Sequence, residues 1–512
     1  MTAKAWQGPA LRHVVDVLDH AAAAHGGELA VTDDHGDWNY VQLADHSRKF
    51  AQWLHHRGVS AGDRVVVHAT ASREFVAMLY GCLRAGAVFV PLGPATTAYQ
   101  LGQVVADARP RMVITDRIDE TAATARSLQE VWAEVRRPGG PTPLPRAEVA
   151  PADTALLIYT SGSTAAPKAV VSPHERVLWA TRAVAARLRY QRDDIVLCRL
   201  PLAFDYGLYQ VFLCALAGAR LVLLTQAADL RLAAVAREYG ATVVPLVPSL
   251  ATMLLHSARR DPGPSRIRLF TNTGEELPQS VRAQLREHFP RAGIQLMYGT
   301  TECKRISVLE VDGDLRRPDS VGRALDGTRI HILTADGATA APGEAGEIVV
   351  SGPHVMAGYW RAPELTAARF RTDPHTGEVR LHTGDFGHLD DDGYLYFHGR
   401  GDDMFKRHGV RTSAAEIESA ARDIPGVEHA VLLPPTGRRD MVLCVVTTLT
   451  PAEVLRHLGT LLDPARVPDQ CRVFDRFPLS SNGKTDRARL SRQRAAEARA
   501  PGTVDGRAAP QT

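Results

Sequence analysis

The sequence predicts an α/β protein: a large N-terminal domain of packed β-sheets with covering helices, followed by a small C-terminal α+β domain. Three observations predict this. Short apolar strand-like runs alternate with helical segments over most of the chain, the pattern of parallel sheets covered on both faces. The 512 residues are 45% hydrophobic and 23% charged, which supports a sizeable core and more than one domain. Near Gly399 the pattern changes, and about 90 residues then remain before a polar tail, enough for one small unit.

Taken in order, the N-terminal MTAKAWQGPALRHVVDVLDH lacks the continuous apolar core of a secretory signal. RVVVH (64–68) reads as a strand, 73–84 as a helix and AVFVPL (87–92) as the next strand. A polar helical segment and the strand RMVITD (111–116) follow. The Pro/Gly-rich stretch 136–153 reads as a linker or loop. ALLIY, ending at Tyr159, is a strand. VVSPHERVLWATRAVAARL is a strand end leading into a helix, with Ser172 as its cap, Pro173 at its first position and Glu175 three residues after the cap. RLVLL, TVVPLV, IRLFT and IQLMYG are further strands, alternating with helices near 228–239, 249–259 and 278–288. GDFGHLDDDGYLYFHGR has the alternation and turn residues of an antiparallel hairpin. The closing RAAEARAPGTVDGRAAPQT has little to bury and is expected to be disordered. No internal repeat is visible.

A net charge of +3, with no Lys/Arg run interleaved with aromatics, argues against a nucleic-acid partner. The six cysteines are dispersed without a C-x-x-C pair, so neither a zinc cage nor a disulfide framework is suggested. The longest apolar stretch, 211–224, is interrupted by Gly218 and Arg220 and is too short to span a bilayer. The expectation is a cytoplasmic protein without a membrane partner.

YTSGSTAAPKAVV (159–171) places Thr160, Ser161, Gly162, Ser163, Thr164 and Lys168 between two apolar runs. Small hydroxyls, backbone N–H groups freed by glycine and one lysine can converge on a polyphosphate. A Ser/Thr-rich turn has the same composition, and the segment alone leaves both readings open. It is not a Walker loop. SSNGKT (480–485) has Gly483, Lys484 and Thr485 in suitable order, but Pro478 stands where the first glycine of that motif belongs.

Together with YGTTE (298–302), LHTGDFGHLDDDGYLYFHGRGDD (381–403) and PLSSNGKTDR (478–487), the hydroxyl-rich segment resembles the adenylate-forming superfamily of acyl-CoA synthetases, peptide-synthetase adenylation domains and luciferases. WNYVQLA, LRAGAVFVPL and GEIVVSGPHVMAGYW match more weakly; in order, the set spans nearly the whole chain. Alanine stands at 165, 166 and 169, where the family usually has glycine at one of the first two positions and at the last.

The resemblance implies ATP and Mg²⁺ as cofactors and an acyl-adenylate as the first product. Lys484 corresponds to the catalytic lysine between substrate carboxylate and α-phosphate. Glu302 corresponds to the Mg²⁺ ligand and Thr301 to an α-phosphate contact. Tyr298 is expected against adenine, with Gly274, Glu275 and Glu276 lining the base and Gly299 and Thr300 beside it. Asp385 is expected on the ribose hydroxyls, with Arg400 near ribose and phosphate. Asp402 corresponds to a hinge, which divides the chain into a core domain 1–401, a mobile C-terminal domain 402–490 and a tail 491–512. In relatives the small domain rotates after adenylation, and the loop around Lys406 and Arg411 enters to admit a thiol. Here that stretch also keeps Gly409 and Glu416, with Met404 where Gln is frequent and His408 where Arg is frequent.

PLAFDYGLYQ (201–210) lacks the histidine of many acyl- and aryl-CoA synthetases and is similar to the FD element of amino-acid-activating members, whose Asp pairs with the substrate ammonium. Asp205 takes that place; a helix cap or an ion pair with a protein base explains it equally simply. By the same resemblance Tyr206, Tyr209, Ser249, Thr271, Thr273, Met297, Arg305 and Ile306 line the acid pocket. Arg305 suits a second carboxylate or polar group; it also fits an outward position or a pair with a nearby acid. ECKR resembles stand-alone enzymes that load unusual amino acids, β-amino acids included, onto carrier proteins. No Ser-bearing carrier motif follows Lys484 and no condensation domain is apparent, so the expected acceptor is the phosphopantetheine of a separate carrier protein. The alternatives are an AMP-forming acyl-CoA synthetase that uses CoA, and a non-catalytic nucleotide-binding relative. Lys484, Glu302 and Asp385 argue against the last; the loop alanines keep it open.

Overall fold

The computed structural model describes residues 11–116, 125–137, 147–160, 168–401, 404–407, 410–434, 440–462, 466–479, 485–487 and 489–492. The chain divides into two compact units, Met1–His398 and Gly399–Thr512. The change of sequence character near Gly399 coincides with this division, three residues before the expected hinge.

The first unit holds two sheets. The six-stranded sheet runs in the order Ala125–Ser127, Met112–Thr115, Arg64–His68, Val88–Leu92, Thr154–Thr160, Lys168–Pro173. Its strands are parallel except for the last pair, an antiparallel hairpin in which Thr160 lies opposite Lys168. Strand residues such as Val65, Val66 and Val67 are fully buried, as expected of a sheet covered on both sides. The helix Arg73–Arg84 starts where the Ser72 hydroxyl accepts from the Phe75 N–H at 3.2 Å, and it is buried from Phe75 onward.

The second sheet has 14 strands among the described residues. Parallel strands Gly293–Tyr298, Leu269–Asn272, Val243–Leu246, Ile195–Cys198 and Arg220–Leu223 form one part. Antiparallel strands, among them Gly346–Ser351, Val379–Leu389 and Tyr394–Arg400, form the other. Tyr298 therefore sits where parallel strands give way to antiparallel ones, beside Ser307 of the next strand. This is the crevice-forming end of a parallel sheet.

One local expectation is corrected. Ser172 does not cap a helix: it is buried inside the strand Lys168–Pro173, and the following helix is His174–Leu188 with no side-chain cap. Ladder pairing with Thr154–Thr160 extends the strand through the residues that local signals assign to a cap.

The second unit contains the hairpin Met404–Arg407/Val410–Ser413, the helices Ala414–Arg422 and Pro451–Leu461, and a three-stranded sheet of Val427–Leu433, Val442–Thr447 and Gln470–Phe474. Ile417, Ala421, Leu432, Leu443, Val445 and Leu458 form its own core. This is the small α+β arrangement read from the sequence. No described helix is long and apolar enough to cross a membrane. All six cysteines are free thiols.

Candidate active site

YGTTE and HTGD, far apart in sequence, meet through one hydrogen bond. Tyr298 ends its strand buried, and its hydroxyl donates to Asp385 Oδ2 at 2.6 Å. Burial and the Asp385 charge hold the Tyr298 phenol well above its ordinary pKa, so it stays a donor. Thr383 braces Asp385: its Oγ1 accepts the Asp385 N–H at 3.0 Å while donating to the Ile348 carbonyl at 2.6 Å. The Tyr298 ring centroid lies 5.3 Å from that of Phe397.

Glu302 is held by a residue that sequence reasoning did not single out. The Tyr359 hydroxyl donates to Glu302 Oε1 at 2.6 Å. Residues 357–360 lie along the strand that begins at Lys168: the Val171 N–H reaches the Gly358 carbonyl at 2.9 Å, and the Trp360 N–H reaches the Ala169 carbonyl at 2.9 Å. The strand that follows the hydroxyl-rich segment in sequence is thus tied to the segment that grips Glu302. The signal was present as the GYW of a weakly matching stretch, but a tyrosine there reads equally well as core.

Gly299 is required by close approach. A Cβ there would lie 2.0 Å from the Lys304 carbonyl oxygen, so the turn after Tyr298 folds onto itself only with glycine. Thr300 Oγ1 lies 3.3 Å from Cys303 Sγ, and Thr301 is half-buried. Burial pushes the Cys303 thiol up to about 12. Gly274, at φ +84°, follows the strand Leu269–Asn272, with Glu275 and Glu276 after it. Arg400 is exposed at the end of Tyr394–Arg400 and belongs to the second unit. Ser161, Gly162, Ser163, Thr164, Ala165, Ala166, Asp402, His408, Gly409 and Lys484 lie outside the described residues.

Four of the expected acid-pocket residues, Asp205, Tyr206, Thr271 and Arg305, meet at a charged centre. Asp205 is the first residue of the helix Asp205–Ala217, where the N-terminal dipole favours a carboxylate. Arg305 Nη1 donates to Asp205 Oδ2 at 3.0 Å and to the Lys304 carbonyl at 2.8 Å. Its guanidinium carbon lies 5.0 Å from the centre of the Tyr206 ring. Of the readings open for Arg305, the pair with an acid is the one observed, and an outward position is not. The Tyr206 hydroxyl donates to the Thr271 carbonyl at 2.7 Å. Thr271, Thr273, Met297 and Ile306 are buried, and Ser249 is half-buried in the helix Pro248–Arg260.

Lys304, which sequence reasoning passed over, is 1% exposed, with φ at +63°. Its Nζ has no hydrogen-bond partner among the described residues and lies 5.9 Å from the Tyr209 ring centre. Burial lowers its pKa, while Asp205 and Glu302 act in the opposite direction. Tyr209 Oη and Thr273 Oγ1 are likewise buried without a hydrogen-bond partner among the described residues. Two of these three atoms, Tyr209 Oη and Thr273 Oγ1, belong to residues expected to line the acid pocket, where a polar ligand would satisfy them. Two cationic side chains, Arg305 and Lys304, stand among the carboxylates of Asp205 and Glu302, and only the Arg305–Asp205 pair is in salt-bridge contact.

Known proteins resemble this chain over most of its length. The sequence pattern described as AMP-binding enzyme matches residues 18–360. A probable non-canonical nonribosomal peptide synthetase, CymA of Salinispora arenicola, is 32% identical over 93% of the chain, which spans 6% of that protein's length. The L-proline--[L-prolyl-carrier protein] ligase of Pseudomonas fluorescens is 28% identical over 93% of the chain and 98% of its own. Among solved structures, VinN in complex with L-aspartate is 46% identical, with a TM-score of 0.70 over 76% of this chain and 98% of that one. VinN was also solved with 3-methylaspartate. With YGTTE and HTGD joined through Tyr298 and Asp385, and the family pattern matched over residues 18–360, the chain belongs to the AMP-binding enzyme family of adenylate-forming ligases.

Proposed function

We propose that this ligase activates an aspartate-like dicarboxylic amino acid and passes it to the phosphopantetheine thiol of a separate carrier protein. The observation that carries the reading is the Asp205–Arg305 pair at 3.0 Å, together with the buried Lys304 Nζ, which feels the Asp205 charge and has no hydrogen-bond partner among the described residues. An amino acid with two carboxylates fits this set. Its ammonium takes Asp205, one carboxylate takes Arg305 and Lys304, and the other remains free to react. The VinN complexes with L-aspartate and 3-methylaspartate, and the carrier-protein ligase among the relatives, support the substrate class and the acceptor.

One carboxylate oxygen of the substrate attacks the α-phosphorus of ATP. The bond to the bridging oxygen breaks and pyrophosphate leaves. The carrier thiol, losing its proton, then attacks the acyl carbon and AMP leaves. Two anions must meet in the first step, so positioning and charge stabilisation dominate. Lys484 supplies a positive charge between the reacting groups. Asp385, braced by Tyr298 and Thr383, accepts from the ribose hydroxyls. Glu302 fits Mg²⁺, which needs one carboxylate oxygen when phosphates and water complete its shell; the Tyr359 hydrogen bond on Oε1 leaves Oε2 for it. There the ion would neutralise phosphate charge.

ATP–pyrophosphate exchange with aspartate, 3-methylaspartate, glutamate, proline, phenylalanine and succinate tests the substrate class. Aspartate-like acids should lead; preference for a neutral amino acid would refute it. Offering apo-carrier, holo-carrier and CoA in parallel tests the acceptor. Transfer to CoA alone would replace the carrier reading with an acyl-CoA synthetase.

A further inference from the structure

In the second unit the helix Ala414–Arg422 carries a buried acid, Glu418. Its Oε1 accepts the Leu432 N–H at 2.6 Å, and its Oε2 accepts from Arg487 Nη2 at 2.6 Å. Arg422 Nη1 lies 4.0 Å from the same Oε2. Arg487 is 42% exposed, yet its guanidinium ends on an acid whose side chain is 4% exposed. It stands three residues after Lys484. The residues on either side of 480–484 are joined: Leu479 and Thr485 form an antiparallel bridge, and the Asp486 N–H reaches the Pro478 carbonyl at 2.8 Å. Leu490, 1% exposed, anchors the chain just beyond by packing with Phe477.

A buried carboxylate is costly, and an apolar side chain of similar size would ordinarily serve a core at least as well. Here the acid is retained, and burial raises its pKa while Arg487, three residues after Lys484, and Arg422 act in the opposite direction. We infer that Glu418 is a positioning residue for adenylation: through Arg487 it fixes the residues that immediately follow Lys484 in the chain. The inference rests on the reading of Lys484 as the adenylation lysine. It concerns the first half-reaction, the step in which that lysine's charge would be used.

Full-length E418Q, R487Q, K484A and E418Q/K484A are compared. Exchange kinetics report the first half-reaction, thioester formation from chemically made aspartyl adenylate and pantetheine reports the second, and thermal unfolding reports the fold. E418Q should lower the exchange kcat by about 10–100-fold with the acid KM nearly unchanged, as expected for loss of an interaction used in the transition state. Thioester formation should stay within about twofold, and E418Q should add nothing in the K484A background. R487Q, altering the more exposed partner, should reproduce the pattern if E418Q folds poorly. Equal losses in both half-reactions, or additive losses with K484A, would overturn the inference and leave Glu418 a packing residue. Undiminished exchange in K484A would overturn the lysine reading itself, and this inference with it.

Discussion

Arg305 donates to the carboxylate of Asp205 at 3.0 Å across 100 positions of sequence, and the two side chains are 7% and 16% exposed. An arginine spent on the acid meant for an ammonium looks at first like self-blocking. On the proposed reading the pair serves a dicarboxylic amino acid: the ammonium would enter on the Asp205 side and a carboxylate on the Arg305 side, and in the structure each protein charge is partnered by the other.

Replacing Asp205 with Ala should therefore act twice. Arg305 loses its partner, and removing one member of a buried pair costs about 3–5 kcal/mol, less here because Asp205 is partly exposed. The melting temperature should fall. The preference for aspartate over succinate, which lacks the amine, should collapse by at least about tenfold. An unchanged aspartate-to-succinate ratio in exchange assays would show that Asp205 does not receive the ammonium.

Lys304→Met should separate stability from activity. A buried amine without a hydrogen-bond partner among the described residues costs the fold. An apolar chain of similar length should leave the melting temperature unchanged or higher. The kcat/KM for dicarboxylic amino acids should drop about 10²-fold if the amine binds carboxylate. A large loss of stability with normal activity would assign Lys304 to the fold alone.

The same amine predicts a proton signature. Burial places its pKa below the ordinary lysine value in the free enzyme. A carboxylate brought beside it raises that pKa. Between the two values the complex holds more protons than the free enzyme, so binding takes up protons and affinity weakens as pH rises through that window. Titration calorimetry of aspartate in buffers of different ionisation enthalpy measures the uptake. Proton release on binding, or uptake that persists in Lys304→Met, would contradict this assignment.

Tyr359→Phe removes the hydrogen bond on Glu302 Oε1 and little else. Freed from its brace, Glu302 should hold Mg²⁺ less well. The Mg²⁺ concentration for half-maximal exchange should rise several-fold, about 1 kcal/mol, with the rate largely restored at saturating Mg²⁺. A lowered plateau with an unshifted midpoint would place the effect elsewhere.

The alternation of apolar runs was enough to read sheets with covering helices and a small α+β unit, because parallel strands buried on both faces leave a plain record in sequence. Ser172 was misread because pairing with the preceding strand overrode a local cap signal. Asp205 and Arg305 were both named, but their partnership depends on bringing a helix start to the turn after Tyr298, which no local pattern encodes. Lys304 escaped because a lysine between Glu302 and Arg305 looks solvated, whereas the turn closing on Gly299 buries it. Tyr359 escaped because its role exists only once residues 357–360 pair with the strand from Lys168.

The most direct measurement is wild-type ATP–pyrophosphate exchange with L-aspartate and its near-isostere L-asparagine. The amide keeps size, amine and one carboxylate but removes the second negative charge. The kcat/KM for aspartate should be about 10²–10³-fold higher, since Arg305 and Lys304 would otherwise face a neutral group. Equal rates, or a preference for asparagine, would contradict it.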